Sequence, residues 1–209
     1  MSANRYETIQ APVDAEQEIS RSRFLCRLER VPDEDSARAV IQRVRSEHPR
    51  ARHHCSAFVI GHDGRLQRSN DDGEPSGTAG APMLDALVSA GLSDVVAVVT
   101  RYFGGVLLGA GGLTRAYRSS VAGAVLLATR QPRELRQLVL VHTDYATAPA
   151  IEAEARRRDW GLEDSSYGAG VSLALRLPPE EVPTLRARVA ELSAGAALLD
   201  PGDTAFVDR

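Results

Sequence analysis

The chain has 209 residues, 43% of them hydrophobic and 25% charged, a composition that is typical of a globular protein and excludes wholesale disorder. All 25 residues of the Lys and Arg total are Arg. The lack of Lys excludes a Walker-type phosphate loop, a Schiff-base enzyme and a pyridoxal phosphate anchor. The net charge is only −3, but residues 20–55 hold nine Arg against five acids, an excess that suits either phosphate binding or an ordinary solvated face.

The first residues lack the apolar core of a secretory signal, and no stretch reaches the roughly 18 apolar residues of a membrane-spanning helix. Two cysteines, Cys26 and Cys55, are present. The sequence therefore predicts a cytoplasmic protein with free thiols and no membrane partner.

The first elements in chain order are a strand, a helix and a hairpin. Alternation of Phe24, Cys26 and Leu28 predicts a strand, and acids after Pro32 followed by apolar residues at helical spacing predict a helix that stops at Pro49. Residues 55–60, a turn at 61–64 and residues 65–67 predict a hairpin.

A polar loop over residues 69–78 then leads into a helix that Gly91 closes, with Ser76 or Thr78 as the expected cap. The apolar run 95–99 predicts a buried strand that ends at Arg101. Five of the nine residues from Gly104 to Gly112 are glycine, and an amphipathic helix follows to Ala128.

The remainder of the chain reads as strand, helix, two strands, helix and strand, a βαββαβ order of about the length of a ferredoxin-like unit. Residues 129–132 are a plausible hinge before it. Residues 131–209 hold nine Arg against 13 acids, so this second domain is acidic and offers a surface for a protein partner.

Three carboxylates, Asp71, Asp72 and Glu74, precede a Gly/Ser/Thr turn into a helix. Such a set suits Mg²⁺ or Ca²⁺, but the spacing is not that of an EF-hand. A surface turn whose acids bind backbone amides or nearby Arg is the commoner case, and we expect no metal.

The glycine-rich stretch stands where phosphate and dinucleotide sites are built, between a buried strand and a helix. Its spacing is not G-x-G-x-x-G and no acid follows to hold a ribose, so we expect no nucleotide cofactor. What it offers is three guanidinium groups beside aromatic rings, which suit phosphate and bases. The alternative is that the rings pack in the core and the Arg pair with the three carboxylates. The residues are Arg101, Arg115 and Arg118 with Tyr102, Phe103 and Tyr117.

In the segment His53-His54-Cys55, strand alternation places His53 and Cys55 on one face and His54 on the other. A Cys–His pair or two metal ligands would fit, but no further ligand spacing completes a zinc site. A small buried cysteine is the commoner case.

Six motifs in order resemble those of the YigZ/IMPACT family: Ser-Arg-Phe at 22–24, His-His-Cys at 53–55, Asp-Asp-Gly-Glu-Pro at 71–75, Gly-Thr-Ala-Gly at 77–80, Arg-Tyr-Phe-Gly-Gly at 101–105, and Leu-Gly-x-Gly-Gly-Leu-x-Arg-Ala-Tyr at 108–117. The resemblance implies a first domain like domain IV of elongation factor G and a second like its ferredoxin-like domain V. Eukaryotic members of that family inhibit the amino-acid-starvation response through an extra N-terminal domain, which we do not expect in this protein. At Ala81 and Leu107 the family pattern usually has Lys, and at His54 it tends to have Asn.

We therefore predict an α+β protein with two domains, residues 1–130 and 131–209. The expected function is non-enzymatic: RNA or ribosome binding that modulates translation or its stress response, without DNA binding, catalytic residues or cofactors. The alternative is an enzyme that acts on a small anionic or phosphorylated substrate through the loops 71–74 and 104–112. The expected RNA- or anion-binding residues are Arg23, Arg52, Arg101, Tyr102, Gly104, Gly105, Gly111, Gly112, Arg115 and Arg118, and the motif loops add His53, Cys55, Asp71, Asp72, Gly73, Glu74 and Thr78.

Overall fold

The computed structural model describes residues 4–209 and divides the chain into two compact units, unit 1 (Met1–Pro132) and unit 2 (Arg133–Arg209). The elements of the first part of the chain are β1 (Arg5–Ile9), β2 (Val13–Ile19), β3 (Ser22–Arg30), α1 (Glu34–Glu47), β4 (His53–Ile60), β5 (Leu66–Asn70), α2 (Gly80–Ser89), β6 (Val95–Tyr102) and α3 (Gly109–Leu127). Those that follow are β7 (Arg130–Thr143), α4 (Ala148–Arg157), β8 (Gly161–Tyr167), β9 (Val171–Leu177), α5 (Val182–Leu192) and β10 (Leu198–Asp208), with a 3-10 turn at Pro179–Glu181.

An antiparallel sheet in the order β2-β3-β6-β4-β5 forms the centre of unit 1. Alternate residues of β6 enter two different cores. Val95, Ala97 and Val99 lie in the core that α2 and α3 cover, whereas Val96 and Val98 lie in the core beneath α1. Helices on both faces explain why β6 is a continuous apolar run although its neighbours are antiparallel.

Helix α1 confirms the sequence prediction closely. The Asp33 carboxylate accepts a hydrogen bond from the Ser36 amide at 2.7 Å and caps the helix, and Glu34 and Asp35 occupy its first turn. Ala37, Val40 and Val44 are buried against the sheet. Acids near the N-terminus are favourable because they oppose the positive end of the helix dipole.

Two sequence expectations about helix starts were wrong. Neither Ser76 nor Thr78 caps α2, because the Thr78 hydroxyl donates to the Pro75 carbonyl at 2.7 Å and the Asp71 carboxylate reaches the first amides of the helix instead. The glycine-rich stretch is also shorter than predicted. Helix α3 begins at Gly109 and takes Gly111 and Gly112 into its first turn, where a Cβ on Gly112 would lie 3.0 Å from the Leu108 Cβ.

The predicted βαββαβ order of the second domain is confirmed, and its strands lie in the antiparallel order β8-β9-β7-β10. This is the ferredoxin-like arrangement, and the mixed α+β class is confirmed for both units. The resemblance of the first domain to elongation factor G stays a prediction. One core serves unit 2, with Val139, Val141, Ile151, Leu173, Leu175 and Leu185 among its members.

Across residues 4–209, the helices are all too short or too polar to cross a membrane.

At Gly104, the backbone that follows β6 lies directly against the backbone of the β2–β3 turn. A Cβ at this position would lie 1.9 Å from the Arg21 carbonyl oxygen, so the backbone would have to move. We expect Gly104→Ala to lower the free energy of unfolding by ~2 kcal/mol or more in urea titrations. Gly123→Ala is the matched control: it lies in α3 with nothing within 4 Å of a new Cβ, and we expect ~0.5–1 kcal/mol of stabilisation there. Equal effects of the two changes would contradict the prediction.

Candidate functional site

A cleft of about 790 Å³ opens in unit 1 where β6 ends and α3 begins. The segment that precedes β4 forms one side, and the loop that precedes α2 contributes Glu74 and Pro75. The remaining lining residues are Arg50, Ala51, Arg52, His53, Arg101, Tyr102, Phe103, Leu107, Leu108, Gly109, Ala110 and Leu113. Three segments that are distant in sequence, 50–53, 74–75 and 101–113, thus share one concave surface.

A buried ion pair lies at the base of this cleft. Arg101 Nη1 donates to Glu74 Oε1 at 2.7 Å, and the side chains are only 7% and 4% exposed. The Tyr117 hydroxyl donates to the same Glu74 oxygen at 2.7 Å, and burial raises the pKa of that hydroxyl. The Arg101 guanidinium also lies over the rings of Phe24 and Phe103, 5.5 and 5.6 Å from their centroids. Within residues 4–209 its Nε has no hydrogen-bond partner.

The carboxylates of Asp71 and Asp72 are occupied by protein donors. Asp71 accepts from the backbone amides of Gly77, Ala79 and Gly80 at 2.7–3.0 Å. Burial opposes its ionisation, but these amides outweigh burial and hold the pKa of Asp71 below its ordinary value. Asp71 therefore shapes the turn and caps α2.

Asp72 joins the loop to α1 and to β4. Its carboxylate accepts from Arg45 Nη2 at 2.7 Å and from the His54 amide at 2.6 Å. Burial opposes ionisation of this carboxyl too, and the hydrogen bonds from Arg45 and His54 keep its pKa lowered. Asp72 and Gly73 both have positive φ, 42° and 83°, so the chain turns sharply here.

The two histidines of β4 face opposite sides of the sheet, as alternation predicted. His53 Nδ1 donates to the Asp72 carbonyl at 2.9 Å, and His53 lines the cleft. On the other face of the sheet, His54 Nδ1 lies 3.1 Å from Thr100 Oγ1. Cys55 shares the face of His53, and its thiol donates to the Asp71 carbonyl at 3.0 Å. Burial raises the pKa of the Cys55 thiol to about 12, which does not suit a nucleophile.

The predicted arginines do not form one surface. Arg101 is buried in its pair with Glu74, and Arg118 pairs on the surface with Asp85 of α2. Arg23 pairs with Glu16 at 2.7 Å and lies over the Tyr102 ring, while Arg115 is exposed on α3 outside the cleft. The expectation that Arg101 pairs with a carboxylate of the 71–74 loop describes this geometry better than a free phosphate contact.

The exposed groups of the cleft are Arg50 and Arg52 on one segment and Phe103 and Leu107 on another. Neither arginine has an ion-pair partner among residues 4–209, and Phe103 and Leu107 are 56% and 87% exposed. The sequence analysis named Arg52 but missed Arg50 and Leu107. The local Arg excess over residues 20–55 was the available signal for Arg50, and the Lys that the family pattern usually has at position 107 was the available signal that Leu107 is exposed.

Removal of Glu74 should show what the buried pair contributes. Glu74→Ala leaves the Arg101 charge buried without its acid, and we expect the free energy of unfolding to fall by ~3 kcal/mol or more in urea titrations. Asp85→Ala is the matched control, because it breaks the Arg118 pair, whose side chains are about half exposed, and should cost at most ~1 kcal/mol. A loss at Glu74 no larger than at Asp85 would contradict a structural role for this pair.

Thiol reactivity tests the burial of the two cysteines. Burial raises the pKa of both Cys26 and Cys55 to about 12, so the thiolate fraction at pH 8 is about one in ten thousand in the folded protein. We expect neither thiol to react with a disulfide reagent at pH 8 until the chain is unfolded in urea, when both react. Rapid reaction of one thiol in the native protein would show an accessible cysteine instead.

Comparison with known proteins places this site in a sequence context. Residues 20–125 match the Impact N-terminal domain, and residues 141–196 match the Domain of unknown function (DUF1949). Every residue that lines the cleft falls within the first match.

Relatives resemble the chain over nearly its whole length. The IMPACT family member YvyE of Bacillus subtilis (strain 168) is 38% identical over 204 residues, which cover 98% of this chain and 94% of the relative. The IMPACT family member YigZ of Escherichia coli (strain K12) is 40% identical over 191 residues, 90% of this chain and 94% of the relative. The chain also resembles a protein of known structure, described as a crystal structure of a hypothetical protein. The two are 38% identical in sequence with a TM-score of 0.66, and the match covers 95% of this chain and 97% of the other.

Proposed function

The chain belongs to the IMPACT family, as its motifs predicted, and from that premise we propose that it binds RNA through the cleft of unit 1 and so modulates translation. The partner would be single-stranded RNA, including exposed RNA of the ribosome, met in the cytoplasm. A protein partner for the acidic second domain stays a prediction.

The observation that carries this proposal is that one cleft holds both guanidinium groups without an ion-pair partner among residues 4–209 and exposed apolar side chains. Arg50 and Arg52 supply positive charge that no acid among residues 4–209 neutralises. Phe103 supplies an exposed ring and Leu107 an exposed apolar side chain. Single-stranded nucleic acid needs both kinds of contact, because its phosphates are attracted to guanidinium groups while its unstacked bases pack on rings.

The alternative, an enzyme acting on a small anionic substrate, has less support from the same residues. Asp71, Asp72 and Glu74 each already accept two or more hydrogen bonds from the protein. Cys55 is buried with a raised pKa. A general base or a metal ligand needs a lone pair that faces the substrate, whereas both carboxylate oxygens of Asp71 and Asp72 and the Oε1 atom of Glu74 already accept hydrogen bonds from the protein.

Binding to ribosomes and to a single-stranded RNA oligomer, measured by co-sedimentation and fluorescence anisotropy across a salt series, tests the proposal. We expect the affinity of the wild-type protein to fall steeply with salt concentration. The double variant Arg50→Gln/Arg52→Gln should bind about tenfold or more weakly at low salt, and its slope of log affinity against log salt concentration should be smaller by about 1.4. Phe103→Ser should weaken binding about fivefold or more without changing that slope, because it removes packing and no charge.

Arg65→Gln is the control for charge alone. Arg65 follows the turn at the far end of β4, is 88% exposed and lies outside the cleft, so we expect its loss to leave affinity nearly unchanged. If the wild-type protein binds neither ribosomes nor RNA at low salt, the proposal is wrong. Equal losses for Arg65→Gln and the cleft variants would mean diffuse charge attraction without a site.

A further inference from the structure

A second concave surface lies on the α1 face of the unit 1 sheet, between α1 and strands β4 and β5. This surface, here named the α1 groove, has a volume of about 400 Å³ and shares no lining residue with the cleft described above. Its lining residues are Arg38, Ile41, Gln42, Arg45, His54, Ser56, Phe58, Arg68, Ser69 and Asn70.

The groove is positively charged. Three arginines and no carboxylate line it among the residues that the structure describes. Arg38 forms an ion pair with Glu34, and Arg45 forms one with Asp72; neither acid lines the groove. Each of the two guanidinium groups has N–H donors beyond those that its acid binds. Arg68 donates only to the neighbouring Gln67 carbonyl, and no acid within residues 4–209 neutralises it. One full positive charge therefore remains at the groove.

Two buried polar side chains contribute donors to the same groove. His54 and Ser56 are 3% and 5% exposed and follow each other on one face of β4. The His54 ring contacts Thr100 through Nδ1, and its Nε2 has no partner within residues 4–209, nor has the Ser56 hydroxyl. When the Thr100 hydroxyl donates to Nδ1, Nε2 carries the proton and is a donor. Neither atom is among the fully buried polar atoms that lack a partner in the described part of the chain, so both face the open groove, where a ligand or water can bind them.

We propose that the α1 groove is a binding site for a small phosphate monoester. Arg68 and Arg45 would contact the phosphate oxygens as charged donors, and His54 and Ser56 as neutral ones. Apolar side chains, Ile41 and Phe58, line the groove beside them, and its volume exceeds that of a phosphate ion and suits a small organic ligand. The site is independent of the RNA-binding proposal, since it uses none of the cleft residues.

Isothermal titration calorimetry of the full chain with adenosine monophosphate, inorganic phosphate and adenosine tests this site. We expect the monophosphate to bind, inorganic phosphate to bind more weakly, and adenosine not to bind measurably. Equal binding of inorganic phosphate and the monophosphate would overturn the assignment to a monoester, because the organic group would then contribute nothing to affinity. Binding of adenosine as tight as that of its monophosphate would overturn the proposal, as would the absence of any heat with all three probes.

Variants locate the site. Arg68→Gln, at an exposed position, should weaken binding of the monophosphate about tenfold or more, and Ser56→Ala about threefold or more, with folding of each variant checked by urea titration. Arg65→Gln is the matched control on the same hairpin and should bind as the wild type does, as should Arg50→Gln/Arg52→Gln. Unchanged affinity in Arg68→Gln, or loss of binding in the cleft variant alone, would overturn the assignment to the α1 groove.

Discussion

The ion pair between Glu74 and Arg101 is the constraint on which the unit 1 site depends. It joins the loop before α2 to the end of β6, and the Tyr117 hydroxyl adds α3 to the same carboxylate oxygen. Because both charges are removed from water, either one alone would be costly, and the three elements are held together as one unit. The Ser22 hydroxyl extends the network by accepting hydrogen bonds from Arg101 and the Gly104 amide.

The motif residues and the exposed residues of the cleft have different tasks. Asp71, Asp72 and Glu74 bind amides, two guanidinium groups and a hydroxyl of the protein itself, and of the three only Glu74 lines the cleft. The exposed residues of the cleft are Arg50, Arg52, Phe103 and Leu107. The proposed RNA binding rests on these exposed arginine and apolar side chains above the buried ion pair.

Strand β4 serves both concave surfaces of unit 1 because its side chains alternate. His53 lines the cleft and His54 lines the α1 groove, while Asp72 bonds to both residues through its carbonyl and its carboxylate. The same loop residue also binds Arg45 of the groove. One turn of positive φ thus fixes a wall of each surface.

The amino-acid sequence by itself determined the α+β class, the family, helix α1 with its acidic start, the central strand β6 and the βαββαβ order of the second domain. These features depend on local periodicity and capping, which a sequence displays directly. Only the tertiary structure decided that Arg101 is buried, that Asp71 and neither Ser76 nor Thr78 caps α2, and that Arg50 and Leu107 border the same cleft. Each of these is a contact between segments far apart in sequence, and the partner of a charged side chain is set by how the elements pack rather than by its neighbours along the chain.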